Sequence, residues 1–385
     1  MTWGSLFELR PIQLTSLAYG LAFEGFELLQ GGQVVYRKLP VPSGVIQFVP
    51  GRLFPVLFCP DTPPQELQPE TVSCTEELGS REPELIVVGG SERRASLERR
   101  TQRSEAETYA YNFRLDAWRT LAPPMHARRD HALATNDDAT EIFCLGGLRD
   151  DPLAECERYS VAGNFWTRMA PLLRPRCRGS AVALGKSVIV LGGSDWNRNL
   201  LTAEVWDGAH WQHGQGLLED RISCGLAVIG NELFICGGQT PAGGACVASM
   251  EIAVVPNVAR RGPPMGRPRS NFGIAVVAGR IYVMGGLAHT DIGVRPNKSV
   301  ERYDPNTNSW EHCRSLPEAL FAFSTAVEGS RIYVIGGNNG YHAVATVFIY
   351  DTLTDTWVNG TPLPQAREAH RSVVVWTPRA LAGLL

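Results

Sequence analysis

Six pairs of adjacent glycines, at 89–90, 146–147, 192–193, 237–238, 285–286 and 336–337, punctuate the chain at spacings of 57, 46, 45, 48 and 51 residues. A recurring period near fifty residues marks a repeated supersecondary unit of the kind that stacks into propeller blades. Each pair ends a short apolar run, at 85–88, 142–145, 188–191, 233–236, 281–284 and 332–335. Runs of this length bounded by glycine read as buried strands, and paired glycines permit backbone angles and close approach that a Cβ would forbid. Ordinary length arithmetic would divide 385 residues into two or three domains. The repeats instead select one ring of six small antiparallel sheets.

The rest of the unit recurs as well. About twenty residues after most pairs stands a tryptophan (Trp118, Trp166, Trp211, Trp310, Trp357); an aromatic lies seven residues before four of them (Tyr111, Tyr159, Tyr303, Tyr350), and Trp206 takes that place in a unit whose turn is two residues shorter. The fourth unit has no tryptophan, with Val258 near the expected place. Large rings at fixed positions suit the apolar layers between neighbouring sheets, so these aromatics are expected in the core rather than on a ligand platform. An arginine follows in five units (Arg128, Arg176, Arg221, Arg269, Arg367), with Leu320 in the remaining slot, and then a strand of small residues suited to crowding about an axis. The arginines are expected to be structural, bonding the carbonyls of turns.

No small-residue strand precedes Leu85, whereas the last one, 371–376, has no glycine pair after it. The C-terminal strand is therefore expected to enter the first blade as its innermost strand and close the ring, leaving no exposed sheet edge. The expected division is an N-terminal extension with a proline-rich linker over 1–84, a propeller over 85–377 and a tail over 378–385. Within the extension, 9–29 suggests a helix opened by Pro11, with Leu14, Leu17, Ala18 and Leu21 on one face and Gly20 and Gly25 weakening it, and 44–58 suggests a hairpin turning at Pro50-Gly51.

The charge balance, 36 basic against 39 acidic residues, offers no general attraction to nucleic acid or anionic membrane. Nine scattered cysteines without a CxxC pair read as buried, reduced thiols in a cytoplasmic protein. No basic segment leads an apolar core at the N-terminus, and 45–58 is too short and too interrupted to span a bilayer.

The glycine pairs, Val300-Glu-Arg-Tyr-Asp-Pro-Asn-Thr-Asn-Ser-Trp310, Ile349-Tyr-Asp-Thr-Leu-Thr-Asp-Thr-Trp357 and the glutamates Glu157, Glu204, Glu251 and Glu301 resemble the repeats of kelch proteins. The resemblance covers about 85–377 and is closest to the propeller half of the kelch-like adaptor family. It implies an all-β, six-bladed kelch propeller. In that family a BTB and a BACK domain dimerise and hold a cullin scaffold, and the propeller captures the protein to be ubiquitinated. About 84 residues precede the first unit here, fewer than both of those domains would need.

Chemistry finds little support in the motifs. No GxSxG, P-loop or GxGxxG before a helix is present, and the eight histidines show no ligand spacing beyond His210-x-x-His213, which flanks Trp211 in a turn. No cofactor or metal is expected. Binding is the principal reading, with the loops after the glycine pairs and around the arginines gathered on one rim. The candidate rim residues are Asp130, Arg149, Arg178, Asp195, Trp196, Ser223, Asn271, Asn338, Tyr341 and His342. Within the charged insertion at 91–107, Arg93-Arg-Ala-Ser-Leu97 resembles a basophilic kinase site and makes Ser96 a candidate for phosphorylation. The expected function is a non-catalytic protein-interaction module, the substrate-recognition part of a cullin-type ubiquitin ligase adaptor. An actin or cytoskeletal scaffold is the alternative, and a propeller enzyme, an isomerase or oxidase, comes third.

Overall fold

A computed structural model describes residues 81–92, 103–185, 187–240, 244–254, 260–291 and 293–378, together with five short strands before residue 39. The chain divides into two units, Met1–Ser80 and Arg81–Leu385. All the described elements are strands, and among them no helix is long and apolar enough to cross a membrane.

In the first unit, Phe26–Gln30 lies between Glu8–Pro11 and Gln33–Lys38, and Leu14–Leu17 pairs with Gly20–Phe23. Strands thus replace the helix expected over 9–29. Gly20 begins one of these strands; in a helix interior it would cost about 0.5–1 kcal/mol relative to alanine. The hairpin expected at 44–58 lies outside the described residues, as does Ser96.

The second unit holds six four-stranded antiparallel sheets. In the second blade, Ala132–Thr135, Glu141–Leu145, Cys156–Ser160 and Phe165–Met169 follow one another from the axis outward. The inner strands Ala132–Thr135, Ser180–Leu184, Gly225–Ile229, Gly273–Val277, Ser324–Glu328 and Arg371–Pro378 lie side by side in that order, and the last returns to the first. Arg371–Pro378 pairs along its whole length with Arg81–Val88, so the C-terminal strand is the innermost strand of the first blade. The ring closes where its sequence implied.

Both glycines of each pair have a geometric reason. The first has φ between 58 and 62°, the second between 88 and 105°. A Cβ on the first would stand 2.5–2.8 Å from the carbonyl oxygen of Arg128, Arg176, Arg221, Arg269, Leu320 or Arg367, well inside contact distance. The amide of the second donates to that same oxygen at 2.8–3.2 Å. Each pair is therefore the groove into which the loop entering the next blade docks.

Apolar layers lie between successive blades. Layers rich in aromatic rings include those around Tyr159 and Trp166, around Trp211, around Tyr303 and Trp310, around Tyr350, and around Tyr111 and Trp118. In each of these five blades the aromatic pair packs with ring centroids 4.8–5.5 Å apart. The indole N–H of each tryptophan then donates to a backbone carbonyl of the preceding blade (Thr361, Ala122, Ala170, Pro263, Arg314) at 2.9–3.0 Å. These aromatics are core and stitching, as their spacing suggested. Val258 lies outside the described residues.

Candidate interaction face

Two residues after each docking arginine, or after Leu320, the chain turns through a left-handed conformation: Asp130, Arg178, Ser223, Asn271, Ala322 and Ala369 all have φ between 51 and 58°. None of them is glycine, and a side chain in this region is strained. The strain is matched by hydrogen bonds that run around the axis. Arg178 donates its amide to Asp130, Ser223 to Arg178, Asn271 to Ser223, Ala322 to Asn271, Ala369 to Ala322 and Asp130 to Ala369, at 2.8–3.2 Å. Six backbone bonds thus form a closed circle at one mouth of the central channel. Four of the expected rim residues stand on this circle, and the Arg178 guanidinium approaches the Asp130 carboxylate at 3.9 Å.

A second circle of contacts surrounds the first. Isolated bridges join Arg129 to Leu148, Cys177 to Ser194, Ile222 to Gln239, Ser270 to Leu287, Phe321 to Asn338 and Glu368 to Ser91. The loops after the glycine pairs are thereby held on the same face as the arginine loops. Arg149 projects from this face, its carbonyl accepting from Arg129 at 3.1 Å. In the third blade Asp195 accepts the amides of Asn197 and Arg198 and shapes the turn that presents Trp196. Trp196 is 59% exposed at φ 72°. In the sixth blade Asn339 accepts the amides of Tyr341 and His342, leaving Tyr341 87% exposed.

Asn338 is placed differently. Its side chain is buried, donating to Glu368 and accepting the amide of Gly340, so it supports the loop from beneath instead of facing outward.

The channel below the inner circle encloses about 190 Å3. At the first position of the inner strands, five blades carry Ala132, Ser180, Gly225, Gly273 and Ser324, and the sixth strand supplies Arg371. This one long cation lines the channel. Burial pulls its pKa down, and the nearby charge of Asp130 acts against that pull. Composition alone could not single out Arg371, because only closure of the ring brings residue 371 alongside 130. Ala322 and Ala369 were likewise missed as members of the circle. Their offset of two residues from Leu320 and Arg367 was the available signal.

The repeated arginines are unavailable to a partner. Arg128, Arg176, Arg221 and Arg269 are buried, each reaching the carbonyl of the first glycine in the next blade's pair at 2.8–3.0 Å and the carboxylate of Glu157, Glu204, Glu251 or Glu301. Burial draws the pKa of Arg176 and Arg269 down while Glu204 and Glu301 oppose it. Among the described residues, no group of three or more His, Cys, Asp or Glu gathers as a metal site would require.

The Kelch motif matches residues 268–317 and 321–364. Kelch-like protein 23 of Homo sapiens is 27% identical over 246 residues, which cover 62% of this chain and 41% of that protein. Kelch-like protein 38 of Mus musculus is 25% identical over 221 residues, covering 55% and 36% respectively. Kelch repeat protein M-T8 of Myxoma virus is 26% identical over 218 residues, covering 52% and 39%. The chain spans about two fifths of the length of these curated relatives.

Proposed function

We propose that this chain, which carries kelch motifs and folds as a six-bladed kelch propeller, is a non-catalytic module that captures a protein on the face bearing the hydrogen-bonded circle. The observation that carries this reading is the presentation of Trp196 and Tyr341. Two large aromatics stand exposed in blades three and six, on opposite sides of the ring, each held out by a side-chain-capped turn. A tryptophan in the left-handed region gains nothing for the fold by exposure, and large exposed aromatics on a face that also carries Arg149 and Arg178 are the composition of interaction hot spots. The resemblance to kelch-like adaptors supports the finer reading, in which the captured protein is the substrate of a cullin-type ubiquitin ligase, and the free thiols of the described cysteines are in keeping with a cytoplasmic site of action.

The test is affinity capture with the full chain, read by mass spectrometry, beside the triple variant R178A/W196A/Y341A. The expected result is a specific partner that the variant loses while keeping the parent's thermal unfolding. Retention of every specific partner by a folded variant would remove this face from consideration. Recovery of a cullin with a short-lived protein supports the adaptor reading, and recovery of actin supports a cytoskeletal scaffold instead.

A further inference from the structure

The layer between the third and fourth blades departs from the others. Among the described residues, those buried in it are Ile189, Leu191, Ala203, Cys224, Leu233 and Ile235, without one aromatic ring. Strand register shows what is missing. Tyr111, Tyr159, Trp206, Tyr303 and Tyr350 stand opposite Leu85, Ile142, Val188, Ile281 and Ile332. The residue opposite Leu233, the corresponding position of the fourth blade, is Ala253. Here the first ring of the aromatic pair is replaced by a methyl group.

The space has not closed. A cavity of about 340 Å3 lies between the two blades, walled by Ile189, Leu191 and Val205 on one side and by Leu233, Ile235 and Ala253 on the other. The strands on both sides keep full antiparallel pairing, Leu191 to Ala203 and Cys236 to Met250 included, so neither wall of the cavity is broken. A void in an apolar layer forfeits contacts that its walls would otherwise make. Gln212 and His213, both exposed, also border it, so the cavity meets solvent along the outer strand Trp211–Gly214.

The geometry points to a binding site for a free, planar, bicyclic aromatic molecule of indole size, seated between blades three and four where every other blade seats its own aromatic rings. Size and shape both favour this class. An apolar cavity of about 150 Å3 takes up benzene, so a space of about 340 Å3 accommodates two fused rings. The walls are the faces of two sheets, which suit a flat ligand lying between them. Pockets for small molecules begin near 300 Å3 and are lined mainly by apolar side chains with few polar groups. The polar side chains here are Gln212, His213 and Gln215, all exposed, and Glu251, whose carboxylate is already engaged by Arg221 at 2.6 Å. A cationic ligand therefore has no free buried anion to meet. This inference does not depend on the face proposed above, since the cavity lies between the blades and is lined by none of the candidate rim residues.

The test is thermal unfolding of the full chain with indole or with N-acetyltryptophanamide at millimolar concentration, beside A253F. Indole is expected to raise the midpoint saturably by about 2–4 °C. A253F, which restores an aromatic ring to the place it holds in five blades, is expected to raise the midpoint without ligand and to weaken the indole response by roughly tenfold or more. No response of the parent protein to indole, or an undiminished response in a folded A253F, would overturn the site. A larger shift from N-acetyltryptophanamide than from indole would overturn the assignment to a free molecule, because the ring would then be arriving on a peptide. Diffraction from crystals soaked in 5-bromoindole decides independently of the variant: bromine between Leu191 and Leu233 supports the site, and bromine only elsewhere refutes it.

Discussion

The Arg367 guanidinium sits over the ring of Tyr109, 4.5 Å from its centroid, in the place where four other arginines meet a buried glutamate. Its own docking contact is kept, since Nη1 donates to the Gly89 carbonyl at 2.9 Å. At the one slot without arginine, Leu320 and Phe348 join a single apolar cluster, and Phe348 holds the strand position that Glu301 holds one blade earlier. The arginine slot and the strand position facing it therefore change together: Arg with Glu four times, Arg with Tyr once, Leu with Phe once.

The first prediction follows from that coupling. Removing one partner of a buried ion pair leaves an uncompensated charge and costs about 3–5 kcal/mol, whereas a well-packed apolar pair is often neutral. R176L and E204F are each expected to destabilise by that amount, and R176L/E204F to recover most of it, as Leu320 and Phe348 do in their own blade. Denaturant unfolding of the three variants measures the coupling. Simple additivity would mean that the two positions are independent.

Deletion of residues 366–385 is expected to destabilise the whole propeller, beyond the first blade alone. It removes the Arg367 docking contact, the Ala369 amide and carbonyl of the circle, and all eight pairs between Arg371–Pro378 and Arg81–Val88. Circular dichroism should show the cooperative transition displaced by tens of degrees or lost. A truncated protein melting at the parent's midpoint would refute this account of closure.

His131 and His370 give a pH dependence with a definite sign. Both are buried, at the position where other blades carry Phe272 and Phe323. Burial foremost, then the charges of Arg371 and Arg128 at His131 and of Arg367 and Arg371 at His370, holds both well below the ordinary histidine range. The folded state therefore keeps them neutral after the unfolded chain, with a pKa near 6.5, has begun to bind protons. Stability is unaffected above about pH 6.5 and falls as the pH drops below it, by up to about 1.4 kcal/mol per pH unit for each histidine. H131F/H370F should flatten the slope between about pH 5 and 6.5. An unchanged slope would show that other groups control it.

Thiol chemistry offers a further test. Burial pushes the Cys144, Cys156 and Cys236 thiols up to about 12. Thiolate is the reactive form, so iodoacetamide at pH 8 should leave all three unmodified in the native protein and alkylate them once it unfolds. Peptide mass spectrometry reads the result, and labelling of the native protein at the unfolded rate would contradict the burial.

Much of the ring was legible because its rules are local. A glycine pair is written wherever a carbonyl must approach within 2.8 Å of the site a Cβ would fill, and a tryptophan wherever an indole must reach the blade before it. The number of blades and the closing strand follow from counting such marks. What could not be read depends on residues brought together only by closure. Arg371 meets Asp130, and Ala369 meets Asp130, across more than two hundred residues of chain. Asn338 looked like an exposed loop residue because asparagine favours turns; its partner Glu368 is thirty residues away in sequence. That the fourth blade lacks an aromatic at the position of Ala253 was visible, but the space this leaves depends on how far two sheets stand apart. In the first unit, helical periodicity in four aliphatic residues was too weak to prevail over strand pairing.

The pairing of Arg81–Val88 with Arg371–Pro378 also sets how the molecule bears load. Arg81 lies opposite Pro378, and Val88 opposite Arg371, so both ends of the ring leave from the same end of one ladder. Tension applied at Arg81 and Pro378 acts across that ladder, lifting its hydrogen bonds one pair at a time instead of shearing them together. The seam that makes the ring continuous is thus its mechanical weak point: it peels open like a zipper while the five other blades are still unloaded.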